Sequence, residues 1–360
     1  KLGYSYGPQE SYRLDHIAYV VVGEKKLSYE EHGNLHTLYK NDHQKFIDYN
    51  IKDVELVERI DQKMGLIELV MTMAYKAGVN YSDVMGTTAI WDSIIYRDLY
   101  ANKIAPPPNV EKFKGPYPGG YVKDPHVGSH DWVVSFDLNS LYPNLIVQYN
   151  MSPETLLKSD QGDVCIAANG AAFTKKFQGM LPRIIINYSN ERKAIKKDML
   201  AAMQANQNNP SSDTEREINR LENRQMAIKI LLNSLYGALG NKYFRYFDQS
   251  VAEAITTSGQ LAILTAETAM NAEMNKILKS DKDYVIAIDT DSLYVNFGPL
   301  VDKLKPKDIV KTLDTVCNDH FTKALNKAYD ELATKTNAYT NRMVMEREVI
   351  ADRGIWTAKK

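Results

Sequence analysis

The stretch YVIAIDTDSLYVNF, residues 284–297, constrains this chain more than any other. Two runs of β-branched and aromatic residues flank Asp289 and Asp291, a composition that specifies two strands joined by a tight turn. The carboxylates then fall at or near the tip of a hairpin whose arms are too apolar for a casual surface loop. Two close carboxylates repel, and ionising both costs free energy unless a cation stands nearby. A hard divalent ion such as Mg²⁺ takes oxygen ligands and keeps waters that substrate phosphates can replace. An exposed Asp-Thr-Asp turn is the alternative, since aspartate is common in turns.

Around this hairpin the pattern is mostly helical. Residues 1–40 mix short apolar runs such as HIAYVVVG with polar turns. From Asp42 to Gly78 apolar residues recur every three or four positions, which predicts helix. TAIWDSIIYRDLYANK predicts a second helical stretch, ending before the boundary run Pro106-Pro107-Pro108 and the turn-rich connector GPYPGGYVKDP. DWVVSFDL reads as a strand ending at Asp137, and Asn169-Gly170 as a possible hairpin turn in an irregular stretch. Two long polar helices, 182–206 and 213–239, flank the loop NQNNPSSD, with Ser212 and Glu215 spaced as a capping box. Helices near 250–278 and 306–334 and a strand RMVMEREVI complete the series.

With 360 residues the chain can bury a sizeable core. Its 44% hydrophobic and 25% charged content is that of a globular protein, and no apolar run reaches membrane-span length. The formal net charge of −1 neither announces nor excludes a nucleic-acid partner, because a basic groove can hide in a balanced total. Two distant cysteines, Cys165 and Cys317, fit a reducing compartment.

Two further constellations carry chemistry. Asp137 is followed by LNSLYPN, which sets Tyr142 five residues on and lets Pro143 fix the exit; amides in such a turn can form an anion nest. In KILLNSLYG, Lys229, Asn233 and Tyr236 share one helix face by their i, i+4, i+7 spacing, ahead of Gly237 and Gly240. A cation, an amide and a phenol on one face suit phosphate, polar edge and ring stacking; a solvated stripe with a half-buried tyrosine is the alternative. Arg192 and Lys196, also i, i+4, are either a solvated pair or an extension of a triphosphate clamp.

DLNSLYP, KILLNSLYGALGN and DTDS, in this order, resemble the three polymerase motifs of family B DNA polymerases. Within that family the resemblance is nearest to the replicative polymerases of T-even-like tailed phages. YNIKDVELV resembles the third exonuclease motif, YPGGYV the connector between exonuclease and polymerase modules, and LPRIIINYSNERKAIKK the first fingers helix. EREVIADRGIWTAKK resembles the palm segment leading into a lysine-rich primer-contacting motif.

This resemblance implies an α+β fold: a polymerase palm of antiparallel sheet and helices, a helical-hairpin fingers subdomain, and a preceding partial RNase H-like exonuclease segment. The expected boundaries are 1–65 for the exonuclease part, 66–108 for a helical connector, 109–180 for the first part of the palm, 181–241 for the fingers and 242–360 for the rest of the palm. Asp137 and Asp291 are expected to be the principal ligands of two Mg²⁺ ions, with Mn²⁺ able to substitute. The Leu138 carbonyl and Glu348 support them, and Asp289 is a less essential neighbour. Ser140, Leu141, Tyr142, Arg192, Lys196, Lys229, Asn233 and Tyr236 are expected to bind the incoming nucleotide, with Tyr142 excluding a 2′-hydroxyl. That exclusion argues against an RNA-synthesising palm enzyme. Tyr117, Gly119, Gly120, Lys359 and Lys360 are expected to contact DNA.

The resemblance breaks in places. Ala287-Ile288 stand where the family has Tyr-Gly. Tyr49 and Asp53 match the third exonuclease motif, but no Asp-x-Glu motif precedes them, so no proofreading is expected from this chain alone. No thumb sequence follows Lys360, so weak primer-template binding and weak extension are expected. The expectation is a fragment of a DNA-directed DNA polymerase acting on primer-template DNA and dNTPs in the cytoplasm of an infected bacterial host. In full length it would have partners such as a sliding clamp. The alternative is a catalytically silent part of a split or truncated polymerase that needs its missing segments.

Overall fold

The computed structural model describes residues 2–110, 112–158 and 162–358. The chain divides into two compact units, Lys1–Met85 with Glu191–Leu231, and Gly86–Asn190 with Leu232–Lys360.

In the first unit the helices are α1 (Leu2–Tyr6), α2 (Leu14–Val22), α3 (Leu35–Asn41), α4 (His43–Met64) and α5 (Leu66–Ala77). The apolar run HIAYVVV therefore lies in a helix, α2, whose Ala18 and Val21 pack on Leu56, Ile60 and Met64 of α4. The periodic stretch after Asp42 is two helices, not one. Gly65 splits it by adopting a left-handed φ of 58°, open to glycine at no steric cost. Side-chain oxygens of Asn34 and Asp42 cap α3 and α4 by accepting from the amides of Thr37 and Lys45. No strand occurs among the described residues of this unit.

The unit also includes the C-terminal part of α8 (Met180–Asn208) and the N-terminal part of α9 (Ser212–Leu239), counting α6 (Thr87–Ala101) and α7 (Leu141–Gln148) before them. Asn223 of α9, 2% exposed, donates to Glu68 at 2.8 Å, and Gly65 leaves room for it: a Cβ there would lie 2.9 Å from its amide nitrogen. Lys76 pairs with Glu191. The cap of α9 is Ser211, whose Oγ accepts from the Thr214 amide at 3.1 Å, rather than the expected Ser212.

The second unit is built on a five-stranded antiparallel sheet in the order β1-β6-β7-β2-β8. Its strands are β1 (Val122–Lys123), β2 (Gly128–Leu138), β6 (Val285–Asp289), β7 (Ser292–Asn296) and β8 (Met345–Trp356). A smaller sheet pairs β3 (Leu156–Leu157), β5 (Ala172–Thr174) and β4 (Val164–Ile166) in that order, and Gly170, at φ 84°, lies in the connection between β4 and β5. The core helix is α10 (Gln249–Leu278), capped by Asp248 and buried through Val251, Ile255, Ala262, Ile263, Ala266, Met270 and Met274. The segment expected as one helix over 306–334 is α12 (Ile309–Val316), a π-helical turn at Cys317–Phe321, and α13 (Thr322–Lys335), preceded by α11 (Gly298–Leu304). The fold is thus a mixture of helices and antiparallel sheet, and among the described residues no helix is long and apolar enough to cross a membrane.

Candidate active site

The hairpin of β6 and β7 turns through Thr290 and Asp291, with Asp289 opposite Ser292. Thr290 holds a left-handed φ of 58°, an uncommon conformation for a β-branched residue. Its amide donates to the Tyr121 carbonyl at 2.8 Å, and the Asp291 amide donates to the Asp289 carbonyl at 2.7 Å. On the next strand Asp137 faces Ser292 across the ladder, and the Ser292 hydroxyl donates to Asp137 Oδ2 at 3.1 Å. One rung further, the Leu138 amide donates to the Asp291 carbonyl at 2.9 Å. The sheet register thus sets Asp137 beside the turn that carries Asp291 although they lie more than 150 residues apart.

Strand β8 adds the third wall. Ser135 pairs with Val349 but Phe136 pairs with Arg347, so Glu348 is the extra residue of a β-bulge. Bulges re-aim side chains, and here Glu348 acts electrostatically on the carboxylate turn. Burial pushes the Asp291 carboxyl above the ordinary range, and the charges of Asp289 and Glu348 add to the rise. Burial also raises the Tyr294 hydroxyl, reinforced by Asp289, Glu348 and Asp137. Several carboxylates therefore share one end of the sheet. Among the described residues no three His, Cys, Asp or Glu side chains stand placed to hold a metal ion by themselves. A cation here would need oxygens beyond these carboxylates, such as a backbone carbonyl or substrate phosphate.

Helix α7 opens beside this cluster. Ser140, at φ 50°, turns the chain out of β2, and the helix starts at Leu141 with no side-chain cap. Its first amides therefore lack intrahelical acceptors. Burial raises the Tyr142 hydroxyl, and the Asp291 charge adds to that. The Tyr142 ring packs on Tyr236 of α9, centroids 4.6 Å apart. Burial, then a hydrogen bond with Tyr117, raises the Tyr236 hydroxyl. Tyr117, Gly119 and Gly120 are thereby brought to the same place as Tyr142, Tyr236 and the turn. Ala287 and Ile288, the departures from the family pattern, are both buried, with Ala287 packed against Val133, Ile286, Tyr294 and Trp356.

Other expected residues lie elsewhere. Arg192, Lys196 and Lys229 belong to the first unit, on α8 and α9, where Arg192 donates to Gln225 at 3.2 Å and Lys196 is exposed. Asn233, an exposed residue of α9, belongs to the second. Lys359 and Lys360 lie outside the described residues. In the first unit Tyr49 and Asp53 are one turn apart on α4, and both engage Lys26. Its ammonium is 2.7 Å from Asp53 Oδ2 and 4.7 Å from the Tyr49 ring centroid.

Three residues at this site had no place in the sequence-based expectation. Ser292 and Thr290 lie within DTDS itself. Gln260, which donates to the Gly119 carbonyl at 2.7 Å, carried no signal beyond being polar on a largely buried helix.

A sequence profile described as DNA polymerase family B matches residues 86–334. The chain belongs to DNA polymerase family B. This family B chain is 32% identical over 430 aligned positions to the DNA-directed DNA polymerase of Escherichia phage RB69, covering 99% of the chain and 47% of that protein. It is 31% identical to the enzyme of the same name from Enterobacteria phage T4, with 97% and 47% covered. DNA polymerase 1 of Pyrococcus abyssi is 35% identical over 193 positions, 53% of the chain and 23% of that protein. The chain thus spans about half the length of the two phage relatives.

Proposed function

We propose that this family B chain carries the nucleotidyl-transfer centre of a phage replicative DNA polymerase, adding dNMP from dNTP to a primer 3′-hydroxyl. The observation that carries the reading is the state of Asp291. Its carboxyl is driven up by burial and by Asp289 and Glu348, next to Tyr142 and one residue before Ser292, the partner of Asp137 in the ladder. Such a cluster is relieved by cations, which in turn can hold an anionic triphosphate beside it.

Asp137 and Asp291, with the Leu138 carbonyl, would hold two Mg²⁺ ions, with Glu348 and Asp289 adding negative charge around them. When bound, the ions lower the pKa of the attacking hydroxyl and neutralise charge on the leaving pyrophosphate. The chain's own residues position the partners. Ser140, Leu141 and Tyr142 present the uncapped N-terminus of α7, which favours an anion and so takes the triphosphate. The Tyr142 ring, braced by Tyr236, occupies the space a 2′-hydroxyl would need. Arg192, Lys196, Lys229 and Asn233, on the helical hairpin acting as fingers, bind the phosphates. Their share is charge and orientation, which dominate phosphoryl-transfer catalysis. Tyr117, Gly119 and Gly120 contact the template, and base pairing reads the sequence.

On this reading the sheet of the second unit is the palm, and residues 1–65 are the end of a 3′–5′ exonuclease domain. Tyr49 and Asp53 would be a remnant there, and the Lys26 ammonium supplies a counter-charge to Asp53. Primer-template DNA, dNTPs and replisome proteins such as a sliding clamp are the partners, in the cytoplasm of an infected bacterium.

Primer extension with Mg²⁺ and dNTPs at low salt tests the reading: extension that Asp291→Asn abolishes supports it, and extension that survives the substitution overturns it. One observation favours a second reading, that the chain is silent until joined by other polymerase segments: it covers 47% of its phage relatives. No extension alone, restored by adding exonuclease and thumb segments, would select it.

A further inference from the structure

The connector after Lys112 is stitched along the second unit by hydrogen bonds that run toward the carboxylate turn. Lys112 Nζ donates to the carbonyls of Arg245 and Phe247 at 2.8 and 2.6 Å, and Lys114 Nζ to Gly240 at 2.6 Å. The Gly115 amide donates to Gln249 Oε1 at 2.8 Å. The last stitch before the turn is Gln260 of α10, whose Nε2 donates to the Gly119 carbonyl at 2.7 Å. Two residues later Tyr121 accepts the Thr290 amide.

Between those bonds lies Gly120, wedged where no side chain fits. A Cβ there would come within 2.7 Å of Thr290 Oγ1, 2.9 Å of Thr290 Cγ2 and 3.2 Å of the Tyr142 hydroxyl. The residue beside Gln260 completes the enclosure: a Cβ on Gly259 would lie 3.2 Å from Tyr142 Cε1. One backbone segment thus touches both the strained turn carrying Asp291 and the ring of Tyr142. A left-handed threonine persists only where its surroundings over-determine it, and here the Tyr121 carbonyl and the Gly120 backbone do so.

We propose that Gln260 is a positioning residue: by holding the Gly119 carbonyl it presses Gly120 against Thr290 and Tyr142, and so sets the turn and the tyrosine ring together. It touches neither carboxylate nor nucleotide. The consequence for sugar selection rests on the reading of Tyr142 given above; the mechanical coupling does not.

Two substitutions separate the hydrogen bond from bulk. Gln260→Glu keeps the shape but removes the donor, and Gln260→Lys restores a donor. Hydrogen exchange of residues 286–292, followed by mass spectrometry, should quicken by about tenfold in Gln260→Glu, the scale of one lost hydrogen bond. It should return toward wild type in Gln260→Lys, while β2 and β8 keep their protection. Unchanged exchange at the turn in Gln260→Glu, or equal quickening across the whole sheet, would overturn the proposal. In primer extension, Gln260→Glu should raise KM for dNTP and lower discrimination against rNTP more than it lowers kcat. If wild-type chain extends no primer, the polymerase reading is what fails, and the exchange result still decides the role of Gln260.

Discussion

The Leu138 amide donates to the Asp291 carbonyl at 2.9 Å, the rung that joins the strand bearing Asp137 to the turn bearing Asp291. Backbone geometry therefore holds the two aspartates in a shared frame, and either side chain can be neutralised without releasing the strand. Asp137→Asn and Asp291→Asn should each fold, and each should lower primer-extension kcat by at least ~10²–10³, the cost of a removed electrostatic stabiliser. Matching circular dichroism with wild-type rates in either variant would refute the assignment.

The raised carboxyl of Asp291 makes a stability prediction that needs no DNA. Its folded pKa lies above its unfolded value, so the native state binds more protons and loses stability as pH rises through that interval. Asp291→Asn should therefore raise the melting temperature at pH 7, by up to about 2 °C because the group keeps partial solvent access that screens the repulsion. The gain should vanish below the ordinary carboxylate range. Mg²⁺ should raise the melting temperature of the wild-type chain in a concentration-dependent way and that of Asp291→Asn much less. Thermal scans at pH 3 and pH 7, with and without Mg²⁺, check both statements.

Tyr142 is packed on Tyr236 at 4.6 Å, so its removal has two separable effects. Tyr142→Ala should lower the preference for dNTP over rNTP by about tenfold or more, the scale on which pocket shape discriminates a hydroxyl. It should also cost about 0.5–1.5 kcal/mol of ring pairing beyond lost area. Tyr142→Phe should keep both. Selectivity unchanged in the alanine variant would remove Tyr142 from its role at the sugar.

In the first unit, Asn223 is buried and donates to Glu68. Asn223→Leu should destabilise by about 0.5–1.5 kcal/mol, since it removes the hydrogen bond to the exposed Glu68 and must fit beside Gly65. Urea unfolding followed by tryptophan-independent far-ultraviolet dichroism would show it; a change under 0.5 kcal/mol, the range of a neutral surface substitution, would count against the contact.

Local chemistry was legible where the partners are neighbours in sequence. The DTDS hairpin, the strand ending near Asp137 and the two long helices follow from alternation and periodicity, and the family from three motifs in order. Cap and break positions were less legible, because they turn on one residue: Ser211 and Ser212 are both hydroxyls three residues before a residue able to respond, and only backbone geometry selects Ser211. The split at Gly65 and the π-turn at Cys317–Phe321 interrupt apolar patterns that read as continuous. Long-range contacts were not legible at all. Gln260 meets Gly119 across 141 residues, and Glu348 reaches the carboxylates through a bulge that depends on strand register.

That bulged strand has a second consequence. Among the described residues, β8 is an outer strand of the five-stranded sheet, twelve residues long and paired with β2. A long outer strand invites pairing with another chain, and charged side chains and bulges discourage it. Glu346, Arg347, Glu348, Asp352 and Arg353 lie along it, and Glu348, at the bulge, is one of the charges that disfavour such pairing. Replacing it with an apolar residue would favour aggregation at high concentration, and light scattering should be read before any loss of synthesis is credited to chemistry.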